Sequence, residues 1–395
     1  MKKLHWTPSK TTAIFRSFLF STLGAASFIC LIPFMSFAQS ELTPERSELI
    51  TMMTPAVAVD RVNPRYPISA ARNGDEGWVR LSYVINTEGR VEDVIVMDNE
   101  GGRFFVHEAK RALKKWRFTP AKDENNENIV SCQNSVQLGF KMGNQGADKK
   151  FIKLLKQSFA SIDEGDLAKT AELIDKINKF KNKNSMELAW GHYTNMKYAV
   201  LNEDEQQTYI SAKKASNYVS LKDSSFSDAA SLHIMHNLLR LQIKKQLFSK
   251  AKDTFNKIEQ YDTDYAKKLM SSFTPYMEQI DSLIASERDI LVEGKIANNN
   301  WYHKLVRSKF SIGDINGQVD TLEVRCSNSL STFSLKADDV FTIPDSWNDC
   351  SIFVKGDDNA SFNLYEISDK SAHLTDDMSE NKPGNKEENK ADGKA

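Results

Sequence analysis

The sequence predicts an α+β, multidomain chain: a β-β-α-β unit in front, an α-helical array in the middle and a small β-sandwich at the end. Three observations predict it. Between residues 61 and 143, runs of two-residue alternation enclose one amphipathic stretch. Between 149 and 288, apolar residues recur at steps of three and four. Between 289 and 367, alternation returns with glycines at the turns. At 395 residues the chain exceeds what one simple core organises.

The front unit is the most legible. Trp78, Arg80, Ser82 and Val84 alternate with Val79, Leu81, Tyr83 and Ile85, the pattern of a half-buried strand. Asn86-Thr87-Glu88-Gly89 supplies a turn, with Gly89 free to take positive φ. A second strand covers 90–97, and its apolar phase slips between Val91 and Val94, which predicts a bulge. Phe105, Ala109, Ala112 and Trp116 then fall on one face of a helix that Pro120 terminates. Val136, Leu138 and Phe140 alternate with polar neighbours in a last strand over 135–142. Such a unit is an antiparallel three-stranded sheet with the helix on one face and at least one edge open.

The middle region predicts helix pairs at 150–163 with 166–180, 186–201 with 203–219, and 227–245 with 249–260. A long helix over 263–288 follows. Trp190, Gly191 and Tyr193, with the small Ala199, Ala212 and Ala215, resemble the packing positions of tetratricopeptide repeats. A TPR-like array of this kind presents a concave surface to a protein or peptide; a plain helical spacer or bundle is the alternative. In the last region, strands are expected at 301–310, 318–326, 332–335, 351–355 and 361–367. The tail from 368 to 395 has no aromatic residue and many charges, and is expected to be disordered.

The first residues bear on the compartment. Lys2, Lys3, Lys10 and Arg16 precede a run from 17 to 38 without charge. That run reads as a removable signal, ending at the small-x-small Ser36-Phe37-Ala38 before Gln39, or as a retained anchor. The chain is therefore expected in the periplasm, or anchored in the inner membrane facing it. Contact with a membrane is expected only if this segment is retained. Cys30, preceded by Phe28 and Ile29, lacks a lipobox. A connecting segment spans 39–60.

The remaining composition excludes several function classes. Lys+Arg 52 against Asp+Glu 53 leaves no basic field for a nucleic acid. Cys326 and Cys350 lie in one region of an exported chain and are expected to form a disulfide worth about 3 kcal/mol. Cys132 is left as a buried small hydrophobe. His233 and His236 stand three apart on a helix, but no carboxylate or cysteine completes a ligand set, so no metal is expected. Neither a nucleophile elbow, an HExxH nor a phosphate-cradling glycine loop occurs, and neither enzymatic activity nor a cofactor is expected.

Five short stretches carry a resemblance. They are Asn63-Pro64-Arg65-Tyr66-Pro67, Ala70-Ala71, Glu76-Gly77-Trp78-Val79, Gly89-Arg90-Val91 and Trp116-Arg117-Phe118-Thr119-Pro120. In this order, residues 62–142 resemble the C-terminal domain of the TonB family of energy transducers. The resemblance implies that the module grips the TonB box, a short extended segment of outer-membrane receptors, by strand addition to a sheet edge. Carried onto this chain, the docking edge is Val136, Gln137, Leu138, Gly139 and Phe140, and the segment contacting the box is Asn63, Pro64, Arg65, Tyr66 and Pro67.

The implied partner is a TonB-dependent outer-membrane receptor or an inner-membrane TonB-system component. Two features depart from the family pattern. The 17–38 run lacks the histidine that couples to an ion-driven motor, and the 39–60 segment is too short for the Pro-rich spacer. A periplasmic scaffold or adaptor that works through the helical array, without energy transduction, is the alternative function.

Overall fold

The computed structural model describes residues 54–143, 146–220 and 224–368. The expected export segment, most of the connecting segment and the charged tail lie outside these residues. The front part runs β1 (Val57–Asp60), α1 (Ile68–Asn73), β2 (Gly77–Ile85), β3 (Val91–Glu100), α2 (Arg103–Leu113), β4 (Arg117–Thr119), β5 (Ala121–Lys122), β6 (Asn128–Ile129) and β7 (Ser131–Phe140).

Its main sheet is antiparallel with the order β3-β2-β7, so β2 is central and β7 is an edge. The β2–β3 turn is tied by Asn86, whose Oδ1 accepts from Glu88 N (3.0 Å) and Arg90 N (2.9 Å). Gly89 has φ +76°, and a Cβ there would overlap the Phe118 carbonyl. The expected bulge is present: Ser82 pairs with Ile95 but Val84 with Glu92, and Asp93 takes φ +44°.

Two details differ from the sequence reading. Helix α2 ends at Leu113, so Trp116 lies in the turn beyond it. Trp116 stays buried because its indole Nε1 donates to Val62 O at 2.9 Å. Val57–Asp60, placed in the connecting segment on sequence grounds, pairs with β4. A four-residue strand with alanine and aspartate carries too little periodicity to stand out.

The helical part comprises α3 (Lys149–Glu164), α4 (Leu167–Asn178), α5 (Ser185–Leu201), α6 (Glu205–Ser216), α7 (Asp228–Lys244), α8 (Phe248–Glu259) and α9 (Asp264–Ile284). Most of these helices begin where a side chain caps them. Asp166 accepts from Lys169 N, Asn184 from Glu187 N, Asp204 from Gln207 N, Ser227 from Ala230 N and Thr263 from Ala266 N. Asn184 and Glu187 complete a reciprocal capping box. Ala199, Ala212 and Ala215 are buried, and these small side chains let α5 and α6 approach closely.

The last part holds β8 (Ile290–Lys295), β9 (Asn300–Lys304), β10 (Lys309–Asn316), β11 (Val319–Arg325), β12 (Leu330–Ser334), β13 (Val340–Thr342), β14 (Ser351–Gly356) and β15 (Ser361–Ile367). They form two four-stranded antiparallel sheets, β13-β10-β15-β8 and β12-β11-β14-β9. The single run expected over 301–310 is two strands, one in each sheet. The corner between them wraps the buried Glu366 carboxylate, which accepts from Val306 N (2.7 Å) and Arg307 N (3.0 Å) and contacts His303 Nε2 (2.9 Å). Arg307 then donates to the carbonyls of Leu283, Ile284 and Ser286, closing the C-terminal end of α9.

The hydrophobic cores cross these divisions. Trp78 of β2 packs in a cluster with Ala189, Met196, Ala212, Ala215 and Phe226 of the helical part. Another cluster runs from Leu239, Phe248 and Phe273 into Val292, Phe310, Leu322 and Val354 of the two sheets. The described residues thus cohere as one unit.

Candidate strand-docking edge

Strand β7 is built by alternation. Val136 and Leu138 pack on the front core and Phe140 is buried in it, while Ser135, Gln137 and Gly139 are exposed on the other side. In the antiparallel register Gly139 faces Trp78, Leu138 faces Val79, Gln137 faces Arg80 and Val136 faces Leu81. An edge strand uses half of its backbone groups toward its neighbour and leaves the other half outward.

That outer side divides into a closed and an open stretch. At the beginning of β7, Cys132 N donates to Ser327 O at 3.2 Å. The Gln133 amide donates to Arg325 O (3.0 Å) and to Asp349 O, so the last part of the chain closes this end. Among the described residues, no backbone hydrogen bond joins 135–140 to any segment other than β2. The open stretch therefore contains all five of the edge residues expected from the sequence.

The 63–67 segment reaches the same end of the strand through Tyr66. Its ring meets Phe140 edge-on at 6.1 Å and Phe105 at 5.8 Å. The hydroxyl donates to Asp75 O. Burial, with the Glu76 and Asp75 carboxylates, pushes the phenol up to about 12, so it remains a donor. Pro64 and Pro67 are half-buried, Pro67 as the residue preceding α1, and Asn63 and Arg65 are exposed. Tyr66 and Phe140 thus bring the two expected stretches together, while among the described residues no hydrogen bond or ion pair joins Asn63 or Arg65 to β7.

The alternation of β2 is that of a half-buried strand, yet its second face is covered as well. Strand β2 is buried on both sides. Glu76, just before β2, accepts from Ser185 N and Ser185 Oγ (2.7 Å each) at the first turn of α5, and from Met142 N (2.6 Å). Arg80 donates to Gln137 Oε1 and Asn217 Oδ1, both at 2.7 Å, and Gln137 donates onward to Asn217 O (3.3 Å). Lys213 reaches Asp98 at 3.3 Å and His192 reaches Glu100 at 3.1 Å.

The closing part of the chain contributes Arg325. This fully buried side chain donates to Ser82 Oγ (3.3 Å) and, at the β3 bulge, to Asp93 O (2.9 Å), while Glu323 neutralises it. Asn217 and Arg325 were not singled out by sequence reasoning, and Glu76 and Arg80 entered it only within the resemblance and the strand pattern. The available signal was the polar phase of β2, Arg80 and Ser82, which normally marks a wet face.

Three other candidates resolve simply. Cys132 is buried and free, and burial pushes its thiol up to about 11. Cys326 and Cys350 stand at bonding distance. His233 turns to the Tyr193 hydroxyl (3.1 Å) and His236 to the Phe273 ring, so the two imidazoles have separate partners. Among the described residues, no group of three or more His, Cys, Asp or Glu side chains is placed to hold a metal ion.

Comparison with known proteins bears on the front part alone. Residues 62–142 match the family described as Gram-negative bacterial TonB protein C-terminal. Protein TonB of Pseudomonas aeruginosa is 39% identical over 57 residues, 14% of this chain and 17% of that protein. Protein TonB of Escherichia coli is 32% identical over 65 residues, 16% of this chain and 27% of that protein. The chain therefore spans less than a third of either relative.

Among solved structures, the TonB C-terminal domain of P. aeruginosa in solution is 29% identical. It covers 23% of this chain and 90% of its own, with a TM-score of 0.20. The TonB2 protein of Vibrio anguillarum is 30% identical, covering 30% of this chain and 100% of its own, with a TM-score of 0.19.

Proposed function

We propose that the chain is exported and works on the periplasmic side of the envelope, in TonB-dependent transport. Residues 62–142 take an extended peptide of an outer-membrane receptor, or of an inner-membrane TonB-system component, as an added strand along β7. The observation that carries this reading is the outer edge of β7 over 135–140, free of backbone partners among the described residues and flanked by Tyr66. The match of 62–142 to the TonB C-terminal family supports the class of partner.

In this reading the TPR-like helices and the terminal β-sandwich hold the front sheet from behind and from one end, and leave one docking stretch. The work is binding, with neither a catalytic step nor a cofactor. Among the described residues no helix is long and apolar enough to cross a membrane.

The experiment is a calorimetric titration with a peptide carrying the TonB box of an outer-membrane receptor, beside the same peptide N-methylated at alternate amides. The proposal expects micromolar binding, about −8 kcal/mol, for the first and at least tenfold weaker binding for the second. Equal affinities, or no binding of either, exclude strand addition.

A further inference from the structure

A cleft of about 410 Å³ lies where the front sheet, the helices and the β9-containing sheet meet. Its walls come from all three parts, and its size is that of a small-molecule site. Arg80, Lys213, Lys250, Lys257, Lys304 and Arg325 line it, against the carboxylate of Asp253. Three of these cations are matched elsewhere: Lys213 by Asp98, Lys304 by Asp349 and Arg325 by Glu323.

The other three have no salt bridge among the described residues. Arg80 is held by the neutral amides of Gln137 and Asn217. Lys250 lies 4.7 Å from the centre of the Tyr302 ring. Lys257 follows Lys250 by seven residues on α8, two turns along the same face and about 10 Å away.

A neutral polar group of the cleft is also incomplete. The Asn217 Nδ2 is buried without an acceptor, although its Oδ1 is fixed by Arg80. A buried donor left unmatched destabilises the fold, and a bound acceptor recovers that loss. Burial would raise the Tyr302 hydroxyl, yet Lys250, Lys213 and Arg80 hold it below its ordinary value. The potential in the cleft is positive.

We propose that this cleft binds a small multivalent anion carrying at least two phosphate or carboxylate groups, with Lys250, Lys257 and Arg80 as counter-charges and Asn217 Nδ2 as neutral donor. Lys250 and Lys257, two turns apart on one helix face, together with Arg80 offer charge for more than one anionic group. The site is separate from the β7 edge, and it stands whether or not a peptide docks there.

The test is the melting temperature of the purified chain titrated with pyrophosphate and, separately, with citrate, each against sodium chloride at matched ionic strength. The expected result is a saturable rise with at least one of them, and an apparent affinity about tenfold weaker in Lys257→Ser or Lys250→Met. Lys257 is exposed, so Lys257→Ser decides the question if Lys250→Met does not fold. A response to pyrophosphate alone assigns a phosphate ligand, and a response to citrate alone a carboxylate ligand. A response to both assigns recognition by charge. No rise beyond the chloride control, or an affinity unchanged in every variant that folds, overturns the proposal.

Discussion

Glu76 of the front sheet and Ser185 of α5 are joined by two hydrogen bonds of 2.7 Å, one from the backbone N–H and one from the hydroxyl. The carboxylate sits at the positive end of a helix and is 7% exposed. One buried side chain thus fixes how the helical part meets a module that relatives share only over this stretch. Glu76→Ala is expected to lower the unfolding free energy by about 2–3 kcal/mol, since charge-assisted bonds are lost and buried donors stranded. Glu76→Gln, which keeps the shape, should cost less. Denaturant titration of the purified chain measures both.

Glu100 and His192 form a second tie across the same seam. Burial pushes the Glu100 carboxyl up, but His192, Lys214 and Lys183 together hold it below its ordinary 4.5. Its stabilisation is therefore complete above pH 4.5 and is lost as pH falls through the depressed value. His192→Leu removes the main opposing partner and lets burial raise the folded carboxyl toward its ordinary value, so about 1–2 kcal/mol is lost at neutral pH and the acid-side loss becomes smaller. Urea midpoints measured from pH 7 downward test this; an unchanged acid limb contradicts it.

His233 titrates in the same direction for a different reason. Burial, with Lys197 and His236 nearby, holds its imidazole down at about 4, against an ordinary 6.5. The unfolded chain binds this proton first, so stability is full above pH 6.5 and falls until the folded imidazole also protonates near 4. The difference amounts to about 3 kcal/mol at acid pH. His233→Phe should flatten the pH dependence between those values, which the same urea series resolves.

Much of this architecture was legible because it is local. Two-residue alternation exposed β2, β3 and β7, and apolar residues at steps of three and four marked the helices. What stayed hidden is long-range. Arg80 and Ser82 read as the wet phase of β2, and nothing near them in sequence announces Asn217 or Arg325, more than a hundred residues away. The candidate edge was legible as alternation plus resemblance. Its closed end was not, because the Cys132–Ser327 contact depends on where a distant sheet docks. The short strand β1 and the corner at Val306–Arg307 were missed because each is set by tertiary hydrogen bonds.

The cysteines should divide cleanly. Cys326 and Cys350 are expected to resist alkylation until reduced, and Cys326→Ser with Cys350→Ser should cost about 3 kcal/mol. Cys132, with its thiol pushed up to about 11 and buried, should remain unlabelled in the native chain and react only after unfolding. Mass spectrometry of the chain alkylated before and after reduction and denaturation reads all three.

The central claim is that β7 offers a free backbone edge over 135–140 and fills it with a partner strand. Hydrogen–deuterium exchange resolved along β7, with and without a TonB-box peptide, tests this most directly. The account predicts that the outward amides of 135–140 exchange rapidly alone and become protected by at least about tenfold with peptide, while Cys132 is protected in both states. Equal exchange across 135–140 with peptide bound would place the partner elsewhere and contradict it.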